Sequence, residues 1–340
     1  MEWVAILFIL LVAWMALVLL DLAVAGVLAI FGVAFKKTFL WGLLPAIVLP
    51  VLMLLYGTLI ERNRCRVVPV ELTFKGLPEA FDGYRIAHIS DLHLRSYAKR
   101  PEALRKVVTA INGTGADLIA FTGDLVTLAP DELDAAAVTA AESGDKHPEA
   151  CSLAGILSDL HAPDGVLSVL GNHDYLLYGP QDSQAARREA QEALIARERA
   201  LGWDLLIDEH RFIRRGQDTI AVLGVGNWSA SRHFPAKGDL DRASEGTEGL
   251  WRIVLSHDPT HWDAQIVGHD YPLTLSGHTH ATQFSLFGWC PSKYVFRWYR
   301  GLYTAGDQCL YVNPGLGETI FPARVGVVPE ITLITLGAGT

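Results

Sequence analysis

Tyr84-Arg85-Ile86-Ala87-His88-Ile89-Ser90-Asp91-Leu92-His93 decides how this chain reads. Tyr84 to Ile89 is a mostly apolar run of strand length, and such a run reads as a buried strand. It leads straight into an acid and a histidine two positions apart. Past the last ladder bond of a strand the chain can curl, so Asp91 and His93 can point into one space. A carboxylate oxygen and an imidazole nitrogen converging there suit a divalent metal. Alone, Asp-x-His is more often a solvated turn. Four later stretches of the same design give it weight.

Downstream, the chain reads as alternating α/β. Val67 to Phe74 alternates as a strand. Pro101 to Gly113 suits a helix with proline near its first turn. Asp117 to Phe121 is a strand ending in Thr122-Gly123-Asp124. Pro148 to Leu160 suits a helix, and Gly165 to Leu170 is a strand ending in Gly171-Asn172-His173-Asp174. Asp182 to Leu201 is a helix whose charges read as a solvated face with i,i+4 pairs. Phe212–Ile213 and Thr219–Gly224 flank a hairpin turn signal, Arg215-Gly216-Gln217-Asp218. Asn227 to Gly249 reads as a long loop with room for one short helix, and long loops in compact domains are often functional. Trp251–Leu255 ends at Ser256-His257-Asp258-Pro259, and Leu273–Leu275 ends at Ser276-Gly277-His278-Thr279-His280. Gln308–Val312 and Ile331–Leu336 read as closing strands.

Five strand ends therefore carry metal-type residues: Asp91/His93, Asp124, Asn172/His173, His257 and His278/His280. Active sites of α/β sheets gather at the carboxyl ends of strands. Gly-His-x-His alone can face solvent, and Gly-Asn-His-Asp alone can be a turn. All five in this order, each after a strand, are not a chance pattern. The remaining histidines, His88, His147, His161, His210, His233, His261 and His269, lack that setting and read as structural.

As a set, these stretches resemble the calcineurin-like binuclear metallophosphoesterases over about residues 67–336. Ile-Ser-Asp-Leu-His, Leu-Ser-His-Asp-Pro, and Gly315-Leu316-Gly317 with Arg324 and Pro329-Glu330-Ile331 look like the membrane-associated bacterial branch. The resemblance implies a metallophosphoesterase-type central β-sandwich flanked by helices. It implies two divalent metal ions (Mn, Fe or Zn), the first held by Asp91, His93 and His280, the second by Asn172, His257 and His278, with Asp124 bridging. His173 would sit beside the reacting phosphate, with Asp174 as its orienting partner. Such metals lower the pKa of a water and screen phosphate charge, while an imidazolium assists departure of an alkoxide. Some members of that branch cleave the diphosphate of a lipid-linked nucleotide sugar. The chain departs from the branch in two places. Ala281-Thr282-Gln283 stands where Gly-Gly-Gln is usual, and Asn227-Trp228 follows Gly226 where acidic residues are common.

The front of the chain is different in kind. The 340 residues carry a net charge of −9 and are 50 % hydrophobic, too apolar for an ordinary soluble domain. The excess lies in residues 1–60, whose charged side chains are Glu2, Asp21, Lys36 and Lys37. Trp3 to Leu20 is 18 uncharged residues, about 27 Å as a helix. Thr38 to Ile60 is 23 residues, about 35 Å, enough to cross a bilayer with some tilt. Leu22 to Phe35 either extends the first helix past Asp21 or shifts the first span later. A transmembrane helical hairpin joined near Lys36-Lys37 is the expectation. Residues 1–66 then form a membrane anchor and 67–340 the catalytic domain. A cleaved signal peptide fits poorly, with no basic start and too long an apolar region. Arg62, Arg64 and Arg66 outnumber Lys36 and Lys37, so the positive-inside rule places the catalytic domain in the cytoplasm of a bacterial-type inner (cell) membrane.

An acidic balance argues against nucleic acid as a partner. Cys65, Cys151, Cys290 and Cys309 have no Cys-x-x-Cys spacing and leave the compartment open. The partners expected are the bilayer and an amphiphilic phosphoester, with a UDP-diacylglucosamine-like diphosphate the first candidate. The aromatic, basic stretch Tyr294–Arg300 reads either as a lip at the headgroup level or as a partly buried segment. Two alternatives stay open: a phosphodiesterase or phosphatase on soluble substrates, with the anchor only for localisation, and a receptor or scaffold without catalysis.

Overall fold

Two six-stranded sheets carry the domain. In the computed structural model, which describes residues 2–136, 144, 151–319 and 321–339, the first sheet holds β1 (Arg66–Lys75), β2 (Arg85–Ile89), β3 (Leu118–Phe121), β4 (Val166–Ser168), β5 (Asp204–Leu205) and β12 (Glu330–Gly339). Its order is β1-β12-β2-β3-β4-β5. The second holds β6 (Glu209–Arg215), β7 (Asp218–Gly224), β8 (Trp251–Leu255), β9 (Leu273–Ser276), β10 (Gly301–Ala305) and β11 (Gln308–Val312), in the order β10-β11-β9-β8-β7-β6. β2, β3 and β4 run parallel to one another, as do β7, β8 and β9.

Alternation of side chains makes these sheets two-sided. Ile86, Leu118 and Ala120 point into a core shared with Ile220, Val222, Ile253 and Leu255 of the second sheet. Their neighbours Ala87, Ile89, Ile119 and Phe121 point the other way, onto the helices Pro101–Asn112, Leu153–Leu157 and Gln184–Ala200. On the far face of the second sheet, Ala221, Leu223 and Val254 meet Leu240 and Trp262. The result is a mixed α/β fold, a β-sandwich with helices on its outer faces.

Several sequence expectations meet different structure. The region expected as a helix over Pro148–Leu160 falls partly outside the described residues; the helix described there is Leu153–Leu157, capped by Ser152, whose side chain accepts the Gly155 N–H. β10 carried no strong strand signal, because its outward residues are half exposed and it starts at a glycine. The helix Gln184–Ala200 has the expected surface pair Arg188–Glu192 at 3.0 Å. It is not solvated throughout, however: Glu198 is fully buried on the same face as Leu194, four residues earlier.

At the front, Glu2–Ile30 is one continuous helix that runs past Asp21. It packs on a second, Phe35–Leu59, which starts one residue before Lys36-Lys37, so the expected joint lies in its first turn, and which contains Pro45 and Pro50. Among the described residues, Phe35–Asn63 is the helix long and apolar enough to cross a membrane, and Trp14–Ile30 is a shorter apolar stretch. Most large side chains of Phe35–Leu59 are exposed, including Leu40, Trp41, Leu44 and Leu52. Its last turn is the exception. Gly57 lets the helix touch the β-sandwich domain: a Cβ there would meet the Arg324 carbonyl at 2.7 Å. The Arg324 N–H donates to the Gly57 carbonyl at 3.3 Å. Just beyond, Glu61 accepts the Gly326 N–H at 2.8 Å, and Arg62 donates to the Pro322 carbonyl.

Candidate metal centre

Each of the five loops leaves a strand whose neighbour ends beside it. Ile89 pairs with Phe121, Phe121 with Ser168, and Leu255 with Leu275. The loops then bond to one another across the two sheets. The Asp91 N–H donates to the Gly123 carbonyl at 2.9 Å, His257 Nδ1 donates to the Thr122 carbonyl at 2.7 Å, and the His278 N–H donates to Asp91 Oδ2 at 3.0 Å. The approach needs Gly277, where a Cβ would overlap Ser90 Oγ and Asp91 Oδ2.

The backbone is held in an unfavourable shape at the same places. Asp91, His93, Asp124, His278 and His280 have φ of 52°, 42°, 59°, 75° and 49°. Non-glycine residues rarely take the left-handed region, and such strain gathers at functional sites. Ala281 and Thr282, where the resembled branch has glycines, have φ of 46° and 53°. This chain thus keeps that turn without the residues that adopt it most easily. Gln283 pins it, donating to the Phe321 and Ala323 carbonyls at 2.8 Å.

The seven residues expected as metal ligands come together. Asp91 Oδ1 lies 3.2 Å from His280 Nε2 and 3.8 Å from His93 Nε2. Asn172 Oδ1 lies 2.8 Å from His278 Nδ1 and 3.2 Å from His257 Nε2. Between the two groups, Asp124 Oδ2 is 3.5 Å from His93 Nε2 and 3.1 Å from His257 Nε2. Three overlapping sets have all their ligand atoms within 4.8 Å: Asp91 with His93 and His280, His93 with Asp124 and His173, and Asp91 with Asp124 and His257.

The electrostatics favour a cation at this place. Burial opposes charge on His257, and the Asp124 carboxylate overrides it, raising the imidazole to about 10. Burial also opposes ionisation of Asp91 and Asp124. His280 beside Asp91, and His257 beside Asp124, nonetheless hold both carboxyls below their usual range. At His93 burial wins over the opposing pull of Asp91 and Asp124 and lowers the imidazole to about 4. His93 Nε2 and His280 Nε2 face each other at 3.0 Å, an arrangement that a cation between two lone pairs satisfies. Imidazole, carboxylate and amide oxygen donors suit a borderline divalent ion. The residues present therefore fit the metal chemistry that the sequence suggests.

His173 lies at the edge of this set. Its N–H donates to Asp124 Oδ1 at 2.8 Å, and its Nδ1–H donates to the Thr127 carbonyl at 2.8 Å, leaving Nε2 for the cavity. The orienting partner is thus a backbone carbonyl and not Asp174. The Asp174 carboxylate turns away and accepts the N–H groups of Asp124, Leu125, Val126 and Gly171, at 2.8, 3.0, 3.2 and 2.8 Å. It shapes the Asp124 loop. A cavity of about 370 Å³ opens over the group, with Tyr178, Phe234, Phe296 and Thr319 among its lining. Phe234 and Phe296 stand edge-on to His278, at 4.6 and 5.7 Å between ring centres.

The rim comes from two stretches that the sequence singled out without tying them to the metal centre, Phe234 in the long loop Asn227–Gly249 and Phe296 in Tyr294–Arg300. Sequence reasoning gave no role to Asp258, whose Oδ2 lies 3.7 Å from His278 Nε2. Its place directly after His257 was the available signal. In the expected lip, Tyr294 and Val295 are exposed, but Trp298 packs on Trp262 and Tyr303.

A β-sandwich with five ligand-bearing strand ends meeting over one cation site defines a metal-dependent phosphoester hydrolase. The model of the calcineurin-like phosphoesterase family matches residues 84–282, and the chain belongs to that family. The metallophosphoesterase YkuE of Bacillus subtilis is 31 % identical over 265 residues, 76 % of this chain and 81 % of that one. The UDP-2,3-diacylglucosamine pyrophosphatase LpxG of Chlamydia trachomatis is 30 % identical over 321 residues, 79 % and 88 % of the two chains. A transmembrane protein with a metallophosphoesterase domain from Danio rerio is 28 % identical over 314 residues, 89 % of this chain and 63 % of that one. The apolar front helix and the relatives with transmembrane segments both point to membrane association.

Proposed function

We propose that the chain is a membrane-anchored hydrolase that cleaves a phosphodiester or diphosphate bond of a lipid-linked substrate of the UDP-diacylglucosamine kind. Residues 1–66 act as a two-helix anchor and residues 67–340 as the catalytic domain. Asp91, His93 and His280 would hold one divalent ion and Asn172, His257 and His278 a second, with Asp124, which lies between the two groups, available to both. Two such ions supply an acidified water and neutralise phosphate charge. His173 Nε2 then holds the proton passed to the leaving oxygen, with Nδ1 fixed on the Thr127 carbonyl. Phe234 and Phe296 exclude water from the reacting group.

One observation carries the choice of an amphiphile. Arg324 joins the anchor to the site: its N–H bonds Gly57, while its Nη2 lies 3.5 Å from His280 Nδ1. The membrane exit and the metal centre are therefore neighbours, and a substrate held in the bilayer surface arrives beside the cations. The pyrophosphatase relative acts, by its name, on a diphosphate carrying two acyl chains. The test uses the full chain, Mn²⁺-loaded, in nanodiscs. A UDP-2,3-diacylglucosamine-type diphosphate should be favoured over bis-(p-nitrophenyl) phosphate by about 10² or more in kcat/KM, the scale that co-localisation gives. Equal preference would sink the lipid-linked reading and leave the anchor as an address.

A further inference from the structure

Between the anchor's end and the metal centre lies a second cavity, of about 450 Å³. Arg62, Arg95, Lys99 and Arg100 line it, against the single lining carboxylate of Glu318. Glu318 is buried and already engaged, 3.6 Å from Arg62 Nε and 3.3 Å from Arg100 Nη2. Cations thus predominate in the lining, and of them Lys99 and Arg95 are exposed. Phe321 adds an apolar side chain to the lining and clusters with Ala323 against Leu54 of the anchor helix. Thr319 lines both this cavity and the one over the metal centre. Thr127, also in its wall, is the residue whose carbonyl fixes His173.

A cation-rich lining, with Phe321 in contact with the anchor helix and Thr319 shared with the cavity over the metal centre, matches one chemistry. We propose that this cavity binds the phosphate group of an anionic amphiphile at the bilayer surface. The phosphate lies among Arg62, Lys99 and Arg100, and the apolar part runs along Phe321 and the anchor. Guanidinium forks suit the phosphate oxygens and Lys99 adds a point charge at the mouth. This rests on the membrane-anchored reading above. Two molecules share that chemistry: the substrate, through a phosphate that is not being cleaved, and an anionic phospholipid of the bilayer.

The test has two arms, both on the full chain, with Lys99→Glu and the conservative Lys99→Arg. Lys99 is exposed, and an unchanged melting midpoint checks that the variants fold. In the first arm, native mass spectrometry counts phosphatidylglycerol retained on protein released from mixed phosphatidylglycerol/phosphatidylcholine nanodiscs. In the second, pure phosphatidylcholine nanodiscs are used, and KM for the amphiphilic diphosphate is compared with KM for bis-(p-nitrophenyl) phosphate. Lys99→Glu is expected to lower lipid retention, or to raise the KM ratio, about tenfold, with Lys99→Arg near wild type. A change in the first arm alone assigns the cavity to a bilayer lipid, and in the second alone to the substrate. No change in either overturns the proposal. Lipid retention that falls while the wild-type chain cleaves no amphiphile would refute the substrate reading and uphold the cavity.

Discussion

Among the described residues, Asp124 is the one carboxylate within 3.5 Å of imidazoles from both ligand groups. Asp124→Asn keeps the acceptor for the His173 N–H but removes the negative charge. Its kcat is expected to fall more than about 10²-fold, the scale lost with a group that stabilises reaction charge. Metal per chain, measured by plasma emission, should fall too, with circular dichroism unchanged. Wild-type turnover at full metal load would refute the bridging role. His173→Asn should lower kcat by roughly 10²–10⁴ with metal retained, and by less for esters whose leaving groups need no proton. A loss independent of leaving-group pKa would make His173 a positioning residue. At this scale the sequence was legible wherever chemistry sits in a motif. It was silent where a role depends on how a loop turns. Asp174 adjoins His173 in the chain, yet its carboxylate binds four backbone amides on the other side.

Periodicity showed most strands and the two long outer helices, Pro101–Asn112 and Gln184–Ala200, because two-sided burial leaves a mark of period two or 3.6. It did not show that the charged helix Gln184–Ala200 turns its end inward. Burial raises the Glu198 carboxyl from 4.5 to about 7. The folded state therefore binds a proton that the unfolded state has lost between those values, and stability falls as pH rises through that window. Below pH 4.5 both states are protonated and there is no cost. Above pH 7 the cost is full, up to about 3 kcal/mol. Glu198→Gln should raise the melting midpoint at pH 8, lose that advantage by pH 4.5, and flatten the profile between. A constant difference across pH would refute this account. The last turn of the anchor invites a second substitution. Gly57→Val places a branched side chain on the Arg324 carbonyl, at a cost of about 1–3 kcal/mol typical of overpacking. Loosened docking should appear as faster protease cleavage near residues 60–66, and an unchanged cleavage rate would show that the contact is slack.

Anchor and domain together make an object whose stability depends on its cations as well as its core. Chelation should abolish hydrolysis and lower the melting midpoint. Mn²⁺ at 100 times its dissociation constant should restore about 2.7 kcal/mol. A midpoint indifferent to chelator would mean that the site binds no ion in the folded state. Membranes carrying the chain should keep it through alkaline carbonate washing, as two packed apolar helices require; release into the wash would count against the anchor. The placement of β12 bears on how such an object is made. β12 lies between β1 and β2, pairing parallel with one and antiparallel with the other. During synthesis β1 and β2 leave the ribosome early, and the edges that β12 will cover stay bare until it arrives more than two hundred residues later. The first sheet closes last and all at once. Ribosome-stalled chains ending before Glu330 should remain open to protease across residues 66–89, and chains released beyond Gly339 should become resistant in a single step.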